Sequence, residues 1–125
     1  MNAPDRFTQF LLEPDEKKVE WEFDTRVANT AIFKFKKEDH TLGNLITQRL
    51  HQYKFIQFSA YRVQHPLFAE FELRVTTDGS LTPKEAILKA CQDIISDLNA
   101  LGREFTKEWE LKKIAGEHGA GMDGF

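Results

Sequence analysis

Glu38, Asp39 and His40 form the one dense cluster of titratable groups in the chain. Two carboxylates beside an imidazole could exchange protons with a substrate near neutral pH. The same residues also suit the start of a helix, where acidic side chains complement the positive end of the backbone dipole. No second constellation supplies a nucleophile or a substrate clamp. No glycine-rich loop follows a strand to cradle a phosphate, and no serine sits in a nucleophile elbow. The histidines (His40, His51, His65, His118) lack metal-ligand spacing, and Cys91 stands alone among apolar helical neighbours. Lys34, Lys36 and Lys37 make a small basic edge that reads as a solvated strand face, since no aromatic platform is interleaved with it. The sequence therefore predicts no catalytic residue, no metal and no cofactor. The acidic cluster is assigned to positioning a helix.

The elements follow from hydrophobic periodicity. Val19, Trp21 and Phe23 alternate with Glu20 and Glu22, which predicts a half-buried strand. Ala31, Phe33 and Phe35 alternate with Lys34 and Lys36 in a second. A helix over roughly 41–52 follows, with Asp39 or Thr41 as its cap. Leu42, Leu45, Ile46, Arg49 and Leu50 share its stripe. Gly43 inside that helix costs about 1 kcal/mol relative to alanine, which implies close approach of another backbone. Residues 55–63 and 68–76 predict a strand pair joined by a turn at Gln64-His65-Pro66-Leu67, with irregular alternation suggesting a bulge in the first. Asp78-Gly79 marks a turn. Thr82-Pro83-Lys84-Glu85 then carries a cap, a proline at the first helical position and a capping-box glutamate. The order β-β-α-β-β-α predicts an α+β two-layer sandwich, a four-stranded sheet with two helices on one face and a long C-terminal helix. Residues 1–18 read as an extended apolar arm, 19–114 as the folded domain, and 115–125 as a flexible Gly-rich tail.

The last helix is the main physical clue. Running to about Lys113, it would be on the order of 45 Å long. A compact domain of this size is roughly 36 Å across, so the helix should overhang it. Ile87, Cys91, Ile94, Leu98, Leu101 and Phe105 recur at alternating spacings of four and three, a seam suited to a partner helix. Trp109 continues it. The first half of this stripe is needed to cover the sheet. A second half of Leu98, Leu101, Phe105 and Trp109 facing water would be a large apolar patch for a monomer, which points to a partner.

Composition narrows the function further. The 125 residues carry a net charge of −3, which argues against gripping nucleic acid through the chain's own field. One cysteine suits a reducing compartment. No apolar run approaches the ~18 residues of a membrane span. Eleven phenylalanines against two tyrosines and two tryptophans favour dry cores and interfaces.

The run Lys37-Glu38-Asp39-His40-Thr41-Leu42-Gly43-Asn44-Leu45-Ile46 resembles the signature of the alpha-like small subunits of eukaryotic and archaeal RNA polymerases. Ala60-Tyr61-Arg62-Val63-Gln64-His65-Pro66-Leu67 resembles that family's A-Y-x-V-x-H-P-L segment, and the helix from Thr82-Pro83 its long closing helix. The opening Met1-Asn2-Ala3-Pro4-Asp5-Arg6-Phe7 is similar to the polymerase II branch rather than the branch shared by polymerases I and III. The resemblance covers the chain up to Ala115.

This resemblance implies a non-catalytic assembly subunit in the nucleus. It would form an obligate heterodimer with a larger alpha-like subunit, a platform for the large catalytic subunits, and meet DNA and RNA only through the complex. It would touch no membrane. The implied partner interface is Leu42, Leu45, Ile46 and Arg49 on the first helix, with Leu98, Leu101, Phe105 and Trp109 on the last. Glu38, Asp39, His40, Thr41, Gly43 and Asn44 form the helix signature, with Asn44 expected to hydrogen-bond a loop or partner backbone. The residues alone leave two other classes open: a nucleic-acid-binding α+β module, and a small enzyme that dimerises through its helices.

Overall fold

A computed structural model describes residue 3 and residues 5–119, with side chains through 117. Four strands form one antiparallel sheet: β1 (Val19–Phe23), β2 (Thr30–Lys36), β3 (Ile56–Arg62) and β4 (Glu70–Thr77), in the order β1-β2-β4-β3. Helix α1 (His40–His51) joins β2 to β3, and helix α2 (Pro83–Gly119) closes the chain. The chain divides into two compact units, Met1–Cys91 and Gln92–Phe125. No described helix is long and apolar enough to cross a membrane.

The core of the first unit follows from alternation. In β2, Ala31, Phe33 and Phe35 are buried; in β4, Phe71, Leu73 and Val75 are. These rows lie opposite one another (Ala31 with Val75, Phe33 with Leu73, Phe35 with Phe71) and so share one face. Ile46 and Leu50 of α1 and Ala86, Ile87 and Ala90 of α2 are buried with them. Each such Phe, Leu or Ile side chain contributes roughly 1.5–3 kcal/mol by leaving water. The other face is polar and laced with ion pairs. Lys34 meets Glu70 at 3.5 Å and Arg62 meets Glu72 at 3.3 Å. A bulge between Ile56 and Phe58 interrupts β3 where its alternation is irregular. Gly79 turns the chain at φ +97°, a conformation that favours glycine.

Three sequence expectations change. The arm is not extended throughout: Arg6–Gln9 is a 3-10 turn, closed by Thr8 Oγ1 donating to the Asp5 carbonyl at 2.6 Å. Strand β1 forms, but all five of its residues are exposed rather than half-buried. It is an edge strand, and edge strands receive less cover than central ones. Helix α2 runs on through Gly119, so residues 115–119, expected in the tail, are helical. Gly116 costs only about 1 kcal/mol, too little to stop a helix carried by Glu110, Leu111, Lys112, Lys113 and Ala115. The rest of the expected tail, 120–125, lies outside the described residues.

Candidate functional site

The Glu38–Asn44 signature engages the chain's own fold: Gly43 is buried, while Asp39, His40, Thr41 and Asn44 stay exposed. Asp39 takes the cap: its Oδ1 accepts from the Thr41 backbone N–H at 2.9 Å. That bond is the main reason its carboxyl is held below the ordinary value of 3.8. Glu38 pairs with Lys18 at 2.9 Å, which ties the helix entry to the segment before β1. His40 Nδ1 lies 2.9 Å from the Tyr61 hydroxyl on β3. Tyr61 in turn sets its edge against Phe71, 5.8 Å between centroids.

Gly43 explains why that ring can lie so close. A Cβ built on it would stand 2.6 Å and 2.9 Å from Cδ2 and Cε2 of Tyr61. The sequence implied close approach of another backbone; the approaching group is an aromatic ring of the chain's own sheet. The signature is thus a docking device that fixes where α1 starts and how tightly it lies on β3. Asn44 is exposed.

A groove of about 720 Å³ opens beside this device, with Lys37, Asp39, His40, Phe10, Leu67 and Phe68 in its lining. None of the described lining residues is a Ser, Thr, Tyr or Cys, so His40 has no hydroxyl or thiol nucleophile to activate there. The imidazole is already engaged by Tyr61. No group of three or more His, Cys, Asp or Glu able to hold a metal occurs among the described residues. Burial pushes the Cys91 thiol up, away from the thiolate that nucleophilic chemistry needs.

What remains on α1 is a flank. Gly43, Ile46, Thr47 and Leu50 are buried. At about 100° per residue they fill an arc of roughly 100° facing the sheet. Leu42, Leu45 and Arg49 occupy the neighbouring arc, on the helix shoulder. Ile46 was expected on the partner stripe, but it is only 2% exposed and belongs to the core. The spacing i, i+3, i+4 spans both arcs, and only packing divides them. Leu45 is exposed; Leu42 and Arg49 are half-buried. Arg49 lies 5.6 Å over the Tyr53 ring and donates to Gln52 Oε1 at 3.0 Å, so its guanidinium is held in place.

Helix α2 begins with both arms of a capping box. Glu85 N–H donates to Thr82 Oγ1 at 3.2 Å, and Thr82 N–H donates to Glu85 Oε2 at 2.9 Å. In the second unit the helix bears the expected stripe in the open: Leu98 is 55%, Leu101 65%, Phe105 66% and Trp109 52% exposed. Phe105 and Trp109 stack with ring centroids 6.3 Å apart, and the Lys113 ammonium sits 6.0 Å from the Trp109 centroid. Every residue from 101 to 117 is exposed. Nearly five turns of helix thus carry Leu101, Phe105 and Trp109 without cover, a large apolar patch for a monomer.

Sequence reasoning missed other exposed apolar residues. Trp21 and Phe23 on β1 were expected to be half-buried, and their alternation gave no sign that the strand would be an edge. Leu67, expected in the turn, and Phe68, expected to open the next strand, both lie exposed in the β3–β4 connection, since β4 begins only at Glu70.

Comparison with known proteins agrees with this geometry. Residues 30–104 match the family described as the RNA polymerase Rpb3/Rpb11 dimerisation domain. The chain is 36% identical over 113 residues to DNA-directed RNA polymerase II subunit rpb11 of Dictyostelium discoideum, covering 90% of this chain and 94% of that one. It is 38% identical over 117 residues to DNA-directed RNA polymerase II subunit RPB11 of Schizosaccharomyces pombe, covering 94% of each. Among solved structures, DNA-directed RNA polymerase subunit L of Thermoplasma acidophilum shares the fold, with a TM-score of 0.62 and 18% identity over 78% of this chain and 95% of that one.

Proposed function

The chain belongs to the RNA polymerase Rpb3/Rpb11 dimerisation-domain family, and from that premise we propose that it is the alpha-like assembly subunit of RNA polymerase II. It is non-catalytic. It pairs with a larger alpha-like subunit of the Rpb3 kind, and the pair is the platform on which the two large catalytic subunits assemble. It works in the nucleus and meets DNA and RNA only through the assembled enzyme. The matched relatives carry polymerase II in their names, which favours that branch over the one shared by polymerases I and III. The family match over 30–104 falls inside the 19–114 segment that we take as the pairing domain.

One observation carries the reading: the open stripe of Leu98, Leu101, Phe105 and Trp109 on α2. Burying the exposed part of such side chains yields at most roughly 1.5–3 kcal/mol each, a contribution set against the cost of association. Leu42, Leu45 and Arg49 on the α1 shoulder form the second contact. Asn44, exposed at the start of α1, offers an amide to a partner backbone.

The test is the solution mass of the full chain after co-expression with the larger subunit, beside a Leu101→Glu variant. Wild type should elute as a 1:1 complex. Leu101→Glu should keep its far-ultraviolet spectrum and fail to pair, because a carboxylate in a dry seam is left unsolvated. A wild-type chain that stays monomeric in the partner's presence would end the proposal.

A further inference from the structure

We infer that the helix-side face of β1, the row Val19, Trp21 and Phe23, is part of the pairing surface and receives the distal half of the partner's own long helix. The inference rests on the pairing reading above and deepens it. The register places the row. Val19 lies opposite Phe35, Trp21 opposite Phe33 and Phe23 opposite Ala31. Directly opposed residues point to the same side of a sheet. The β1 row therefore extends the buried core face by one strand, and Trp21 stacks on Phe33 with centroids 5.9 Å apart. Yet its neighbours in β2 are at most 5% exposed, while Val19 and Trp21 are each 40% and Phe23 58% exposed.

Within the first unit, the helical residues do not finish the job. Helix α1 lies over β3, where Gly43 meets Tyr61. The first turn of α2 reaches Trp21 with the Lys84 ammonium, 5.9 Å from the ring centroid. One turn on, Leu88 is exposed on the same shoulder of the helix. The row is a strip of core without its cover.

Two further facts choose the occupant. The family description names a dimerisation domain common to Rpb3 and Rpb11, so the two partners are alike in fold. Pairing of like domains tends to be reciprocal: what one chain lends, it also receives. A chain that offers a distal apolar helix stripe must then present an apolar floor to the matching stripe of its partner. The sheet-facing arc of α1 is already used by Ile46 and Leu50, and the far face of the sheet is ion-paired. The β1 row is apolar and open. Its three residues span about 13 Å, the length of two to three helical turns.

The experiment is hydroxyl-radical footprinting of the full chain, alone at low concentration and in its 1:1 complex with the larger subunit, read residue by residue by mass spectrometry. Oxidation of Trp21 and Phe23 should fall several-fold on pairing, while Phe58 on the opposite face stays unchanged as an internal control. Unchanged oxidation of Trp21 and Phe23 in a stoichiometric complex overturns the inference. Protection already complete in the self-associated chain, with no further change on pairing, assigns the row to a second copy and also overturns it. A Phe23→Glu variant gives an independent reading. Phe23 is exposed, so the fold should persist, and pairing should weaken at least roughly tenfold, as for a central interface aromatic. If Phe23→Glu pairs normally while Leu101→Glu does not, the β1 inference fails and the helix reading stands. If neither weakens pairing, the helix reading fails as well.

Discussion

Replacing Gly43 with alanine sets two effects against each other. Helix propensity alone says that the change should stabilise α1 by about 1 kcal/mol. Packing says the opposite. The new Cβ would lie 2.6 Å from Tyr61 Cδ2, 2.9 Å from Cε2 and 3.1 Å from Cγ. Ordinary carbon contacts begin near ~3.5 Å, so the ring must retreat by roughly 1 Å. It cannot do so freely, because its hydroxyl is tied to His40 Nδ1 at 2.9 Å and its edge rests on Phe71. Overpacking of this kind costs about 1–3 kcal/mol. Loss of the His40 contact adds about 0.5–1.5 kcal/mol. Subtracting the propensity gain leaves a net loss of about 2 kcal/mol. In urea, where a small domain has a slope of ~1–3 kcal/mol per molar, the midpoint should fall by about 1 M with the slope unchanged. The sign should reverse in a Tyr61→Ala background, where no ring is left to strike and only propensity acts. Gly43→Ala at or above wild-type stability in the native background would refute the reasoning.

Two more outcomes follow from the same geometry. Ile46→Ala should destabilise the fold by about 2–5 kcal/mol as a core truncation, whereas Leu45→Ala, one residue earlier, should leave unfolding nearly unchanged and weaken pairing. Urea melts and pairing titrations on both variants check this, and equal effects would mean that the two arcs of α1 are not divided as described. Acid should destabilise the protein. Asp24, Asp39 and Asp78 are held below 3.8 and Glu16 below 4.5, each chiefly by hydrogen bonds to its carboxylate. Their folded values lie below the unfolded ones, so the stabilisation is present above the ordinary values and is lost as pH falls through the depressed ones. Unfolding free energy measured against pH should decline below about pH 4, and Asp39→Asn should make that decline shallower; an unchanged acid limb would show that Asp39 contributes nothing to it.

Sequence alone determined a good deal. Alternation in β2 and β4 fixed which residues are core, because a pleated strand allows only two faces and one was apolar. The Thr82–Glu85 capping box was legible because its bonds span three residues and need no tertiary partner. The open stripe at Leu98, Leu101, Phe105 and Trp109 was legible as well, since a helix fixes its own faces.

Tertiary structure decided the rest. Only packing could show that Ile46 turns to the sheet while Leu45 turns away, since both fit one helical stripe. Only packing could show that Gly43 makes room for Tyr61, eighteen residues on in sequence, rather than for a partner. Strand order was equally silent in the chain: the pattern of β1 is that of a covered strand, but β1 pairs with β2 alone, which leaves it at the edge, and all five of its residues are exposed. Periodicity reports what a residue can face; which neighbour it meets is set by contacts between segments far apart in the chain.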